Sequence, residues 1–483
     1  MKIAKKILLS LLAIPLVLLA FAVAVQTYYH FTPVALSAEA IALSARAAKL
    51  PTLTENGYRL YGLFAPREQD PVVFGKCLTD AYEQHRREVN QAGVKMPSHD
   101  DKPAWAAYEK GVADRSKALD DTCLKGGTRL TLPKALTDIR ANLATTEDQW
   151  KTLAAVVPDE TVLSRADAVR NDGVRRLGAE VDSPFVSYES LMKLERWRIA
   201  RGVIAWRSDD RQEATNLWTT AIADWSNSAN SNLIEAMLAA AAQTQVLIAM
   251  QTGVAQSARI DGATADALLA AIKPIESMPE AIANSMLAEW QMQWNMMKQV
   301  SKLSSFAATV ATERNAFERA MDRVGAWTLD FNGTMNELAK SNLWTQDALR
   351  KVAHGQAQPE YPAEMFAFGC TSDMDWGIAC TPFMRNSTGQ ILSAIAMPSF
   401  VSYGTRIADL RNLAAATRLT IAVRRRPLAG DALAQFVANA PGDMRDVFTG
   451  RPFVYDSARK RLSVELRERS TIIGDKGPYE LQL

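Results

Sequence analysis

The side chains with chemical reach are few and far apart. Ser190 and Lys193 stand three residues apart, the S-x-x-K spacing that puts a hydroxyl and an amine on one helical face. There an unprotonated lysine can activate the serine, as in penicillin-recognising enzymes. Such enzymes also need a K-T-G strand and an S-D-N element; neither occurs, so the match reads as chance. A nucleophile elbow, a P-loop, H-E-x-x-H and G-x-G-x-x-G are all missing from the sequence. Carboxylates are plentiful, but spacing singles out no acid–base pair. No catalytic residue is assigned.

Two other patterns suggest binding. In "NSMLAEWQMQWNMMKQV", Met286, Trp290, Trp294 and Met297 recur at steps of four, four and three and so form one helical stripe. Methionine adapts to irregular gaps, which makes a packing face the simplest reading and a binding groove the second. Met292 and Met296 add a thioether pair of the kind that holds Cu(I) in exported proteins, again second to packing. In "CTSDMDWGIAC", Asp373 and Asp375 flank Trp376 between Cys370 and Cys380. A closed loop with two acids and a tryptophan suits a partner or a hard cation, although acids often only solvate a turn.

The four cysteines are Cys77, Cys123, Cys370 and Cys380. An even count in an exported chain suggests disulfides. Three pairings are open, and proximity favours Cys77 with Cys123 and Cys370 with Cys380. No C-x-x-C occurs and His30, His85, His99 and His354 are scattered, so neither a metal nor a cofactor is expected.

The elements that must carry these residues are mostly helices. From about Leu132 to His354, apolar residues recur three and four apart, with short breaks at "RSDD" and "SMPE". That rhythm predicts stacked antiparallel helices. Gly202, Ala214, Trp218 and Ala221 keep the spacing of one tetratricopeptide-like hairpin. No second copy lies 34 residues away, so the motif describes local packing rather than an array. Arg424, Arg425 and Arg426 before Pro427 read as a helix C-terminus. Further on, Phe453 and Tyr455, then Leu462, Val464 and Leu466, alternate as a β-hairpin, with a third short strand in "GPYELQL".

The chain opens on Lys2, Lys5 and Lys6, followed by an uncharged run from Ile7 to Val25. Nineteen helical residues span about 28 Å, close to the hydrocarbon thickness of a bilayer. Tyr28, Tyr29 and Phe31 follow at the place of interfacial aromatics. Ala22-Val23-Ala24 fits a cleavage pattern, but the length favours a retained anchor with its lysines in the cytoplasm. Both readings export the remainder. With 55 basic and 53 acidic residues the chain has no global field to attract nucleic acid.

Three stretches, "ENGYRLYGLFAPREQDPVVFG", "EATNLWTTAIADWSNSANSNLIEAML" and "NSTGQILSAIAMPSFVSYGTRIADLRNL", occur in that order. Together they resemble an uncharacterised group of N-terminally membrane-anchored, helical periplasmic proteins of Gram-negative bacteria. The resemblance implies a single-pass inner-membrane protein and carries no site residues. The expected organisation is a cytoplasmic N-terminus (1–6), a transmembrane signal-anchor (7–27) and a membrane-proximal stalk (28–56). A helical periplasmic body (57–360), a cysteine loop with a long helix (361–426) and a C-terminal α+β hairpin region (427–483) complete it. The expected function is binding or scaffolding in the envelope, with an envelope protein as partner; the rival is a hydrolase of peptidoglycan or peptide.

Overall fold

The computed structural model describes residues 20–29, 31–50, 54–92, 102–137, 147–171, 188–229, 231–302, 329–360, 362, 386, 400–426, 428–468 and 479–483. The protein is mainly helical, with a small three-stranded antiparallel sheet near its C-terminus.

Helix α1 (Ala38–Ala47) is capped by Ser37, whose hydroxyl accepts from the Ala40 amide at 3.2 Å. Its apolar residues Ala40, Leu43 and Ala47 are buried against the body. This apolar face of the segment read as a membrane-proximal stalk thus has a partner in the body. Helices α2 (Glu55–Tyr61) and α3 (Pro71–Ala92) touch backbone to backbone. A Cβ on Gly75 would fall 1.9 Å from the Tyr58 carbonyl oxygen, so only glycine permits this approach. Helix α4 (Lys102–Leu124) is joined to α3 by the Cys77–Cys123 disulfide, with Cα atoms 5.8 Å apart. That is the pairing proximity favoured; Cys370 and Cys380 lie outside the described residues.

Helices α5 (Lys134–Thr137), α6 (Glu147–Ala154) and α7 (Glu160–Asn171) send Leu136, Trp150 and Val162 into the main core. From α7, Arg165 donates to the carbonyls of Ala65, Pro66 and Gln69 at 2.5, 2.8 and 2.8 Å. The loop between α2 and α3 is thus wrapped round a buried cation whose donors it satisfies.

Helices α8 (Tyr188–Arg207), α9 (Arg211–Ser228) and α10 (Leu233–Gln256) form the centre. Asp209 turns the chain with φ at 64°, and Asp210 caps α9. The tetratricopeptide-like residues do what their spacing predicted. Trp218 is fully buried against Gly202 of α8 and Gly253 of α10, and Ala214 and Ala221 are buried beside it. Early residues of each helix meet late residues of the next, so the stack is antiparallel. Among the described residues, α10 alone is long and apolar enough to cross a membrane, yet most of it is buried. It is apolar all round because protein surrounds it.

Helix α11 (Gly262–Ile272) leads through a short 3-10 turn (Lys273–Ser277) straight into α12 (Met278–Lys302), with Pro279 in its first turn. A proline there needs no amide partner, so "SMPE" starts a helix without leaving a gap. Helix α13 (Phe331–Ala353) lies antiparallel to α12. Trp294 meets Phe331 at one end, and Glu280 accepts from Arg350 at 2.9 Å at the other. Helix α14 (Ser402–Arg425) belongs to the same core. Gln251 of α10 donates to Thr417 at 2.6 Å, and Arg424 donates to the Ala255 carbonyl at 2.7 Å. All three terminal arginines have partners, since Arg425 pairs with Asp266 at 2.7 Å and Arg426 lies over the Phe436 ring at 5.1 Å.

Helix α15 (Gly430–Ala438) and strands β1 (Val454–Asp456), β2 (Arg461–Val464) and β3 (Tyr479–Gln482) complete the fold. The order is β1-β2-β3, with Tyr455 opposite Leu462 and Leu462 opposite Leu481. Phe453, Leu462 and Val464 face inward as the alternation predicted, joined by Leu481 and Leu483.

Candidate functional site

The methionine–tryptophan stripe is a seat that is already occupied. Met286, Trp290 and Met297 are fully buried, and Trp294 is half-buried at the rim. The α1 residues Ala40, Leu43 and Ala47 close over Leu287, Trp290 and Met297 from α12 and over Met335, Leu338 and Ala339 from α13. Trp294 packs at 5.9 Å on Trp290 and edge-on at 5.3 Å against Phe331. The packing face expected from the spacing is present; the open groove is not, because the chain's own segment fills it. Met292 and Met296 lie on the other side of α12, partly exposed. Among the described residues no cluster of three His, Cys, Asp or Glu side chains is placed to hold a metal ion.

The segment entering α1 is held by its backbone. Asn332 donates to the Val34 carbonyl at 2.8 Å and Asn336 to the Ala35 carbonyl at 2.9 Å. The Ser37 amide donates to Asn336 Oδ1 at 2.7 Å, and the Val34 amide reaches Asp330 Oδ2 at 3.4 Å. Asp330 also caps α13 through the Gly333 amide at 3.0 Å, and its own amide donates to Asn386 Oδ1 at 2.9 Å. A segment held at both donor and acceptor positions is fixed in place, since a one-residue slip would break these bonds. Sequence reasoning did not single out these asparagines. The available signal was two poor helix formers four residues apart on one helical face.

Upstream, residues 20–29 are helical, and Ala22 is buried there. Gln26 is buried, while Ala20, Phe21, Val23, Ala24 and Tyr28 are exposed, Phe21 at 60% and Tyr28 at 64%. Thr27 and Thr32 turn their hydroxyls back onto the Val23 and Tyr28 carbonyls, both at 2.7 Å.

Ser190 and Lys193 both lie on α8. Lys193 pairs with Glu189 at 2.5 Å, so its amine is engaged as an ion-pair donor. Asp373, Asp375 and Trp376 lie outside the described residues. Tyr188 donates to the buried Glu235 at 2.9 Å, and burial drives the phenols of Tyr188 and Tyr61 well above their ordinary range. Phenols held neutral in this way are structural donors at ordinary pH, not bases.

No family model, curated protein or solved structure matches the chain.

Proposed function

We propose that the protein is a membrane-anchored scaffolding or binding module of the bacterial cell envelope, single-pass, with its body in the periplasm. The observation that carries this reading is the helix at 20–29, with Phe21, Val23 and Tyr28 exposed, followed by a segment fastened to α13. A flexible linker would let the body roam; here the segment after the anchor is bonded to Asn332 and Asn336. The mount is therefore rigid, as a scaffold requires. The Cys77–Cys123 disulfide fits an oxidising compartment such as the periplasm. The resemblance to anchored helical envelope proteins points the same way.

The test is crosslinking in intact cells followed by affinity purification. A defined envelope partner is expected from the parent chain. That partner should be lost, or altered in its crosslinking positions, when Asn332→Ala and Asn336→Ala are combined. Recovery of no partner by a folded, membrane-embedded chain overturns the scaffolding role.

A further inference from the structure

We propose that the outer face of α1, together with Phe31, rests in the headgroup layer of the membrane, making the phospholipid surface a direct partner of the folded body. This rests on the anchor reading above and goes beyond it, because it concerns a surface of the body rather than the span.

A surface helix normally buries one apolar face and turns polar residues outward. α1 does not. Behind its buried face, Ile41 is 54% exposed within a row that also holds the exposed Ala38, Ala42 and Ala45, three and four residues apart. Just upstream Phe31 is 76% exposed. An exposed phenylalanine upstream and an exposed isoleucine within an apolar row are costly against water and favourable against acyl chains and headgroups.

The tether sets the distance. Val34 is bonded to α13 and lies five residues after Tyr29. A fully extended chain of that length spans at most about 17 Å. With Tyr29 at the interface, the start of α13 is confined close to the headgroup layer, itself only about 6–7 Å deep on each side. The face is also charge-matched at its far end, where Arg46 and Lys49 are exposed. Each cation near an anionic surface contributes attraction on the order of 1 kcal/mol. Glu39, exposed in the first turn of α1, offsets one of them.

The test uses the full chain reconstituted in vesicles of phosphatidylethanolamine and phosphatidylglycerol carrying a nitroxide-labelled lipid. An environment-sensitive fluorescent amino acid is placed singly at position 28, 31, 41 or 157. Val157 is the control, since it is also strongly exposed but belongs to the loop after α6. The expected result is several-fold stronger quenching at 28 and 41 than at 157. Ile41→Asp, at an exposed position that leaves the circular dichroism unchanged, should abolish quenching of a probe at 31. Quenching at 28 with 41 matching 157 overturns the lipid contact while sparing the anchor; a protein covering α1 would give this outcome. Loss of quenching at 28 overturns the anchor reading itself.

Discussion

Asp409 gives the sharpest quantitative test of the packing at the C-terminal region. It sits on α14, is buried, and accepts the backbone amides of Arg467 and Glu468, both at 2.8 Å. Its neighbours are Arg467, whose guanidinium stacks on Phe448, and Glu468, which pairs with Arg406 at 2.7 Å. One helical turn on, Asn412 donates to Asp446 at 3.0 Å and to the Glu465 carbonyl at 2.8 Å. Burial outweighs the two amide bonds and pushes the Asp409 carboxyl up from 3.8 to about 6. That rise corresponds to about 3 kcal/mol in favour of the neutral form. In the interval between the two values the folded state binds the extra proton. Stability from this group is therefore full below the unfolded value and is lost as pH rises through the folded one.

Asp409→Asn keeps the shape and removes the charge. Its carbamoyl oxygen retains one amide bond, and loss of the other costs about 1 kcal/mol. The variant is expected to be more stable than the parent by about 2 kcal/mol near pH 7.5. About half of the parent's ionisation penalty should disappear on going to pH 5, so the gap narrows there. Urea titrations followed by circular dichroism at the two pH values measure both quantities. A variant less stable than the parent near pH 7.5, or a gap independent of pH, refutes the reasoning.

Four further outcomes follow from particular contacts. Gly202→Ala places a Cβ 2.4 Å from Trp218 Nε1. Overpacking of about 1–3 kcal/mol should exceed the helix-propensity gain of about 1 kcal/mol, lowering the thermal midpoint seen by tryptophan fluorescence. Reducing the disulfide opens a separation of 46 residues and should cost about 4 kcal/mol on the chain-entropy model, read as a lower urea midpoint. Leu481→Ala removes a buried side chain opposite Leu462 and should cost about 2–4 kcal/mol, measured in the same titration. Asn336→Ala removes two bonds to the entering segment and should raise amide exchange selectively over residues 34–47, leaving α10 protected.

Much of the fold is legible because local chemistry and tertiary packing agree. The Gly202–Trp218 hairpin was readable because a small residue and an aromatic at that spacing have one good arrangement. The sheet was readable because Phe453, Leu462 and Val464 alternate strictly. The stripe through Trp290 was legible as a packing face, but its occupant was not. Ala40, Leu43 and Ala47 form too sparse a pattern to name a partner about 250 residues away in sequence. Asn332 and Asn336 act through the backbone of a distant segment, and a backbone contact leaves no complementary side-chain signal. The placement of α14 was hidden for a related reason. Gln251 and Thr417 are ordinary polar residues until the fold brings them to 2.6 Å.

The central claim is that the body is mounted on the outer face of the inner membrane by a retained N-terminal helix. The most direct measurement combines alkaline extraction of membranes with protease treatment of spheroplasts, reading intact mass and fragments of the full chain. The expected result is a chain that stays in the membrane pellet with its N-terminus intact and whose body is digested only once the outer membrane is opened. A chain released by alkali, a mature start near Val25, or a body protected until the inner membrane is broken would contradict the account.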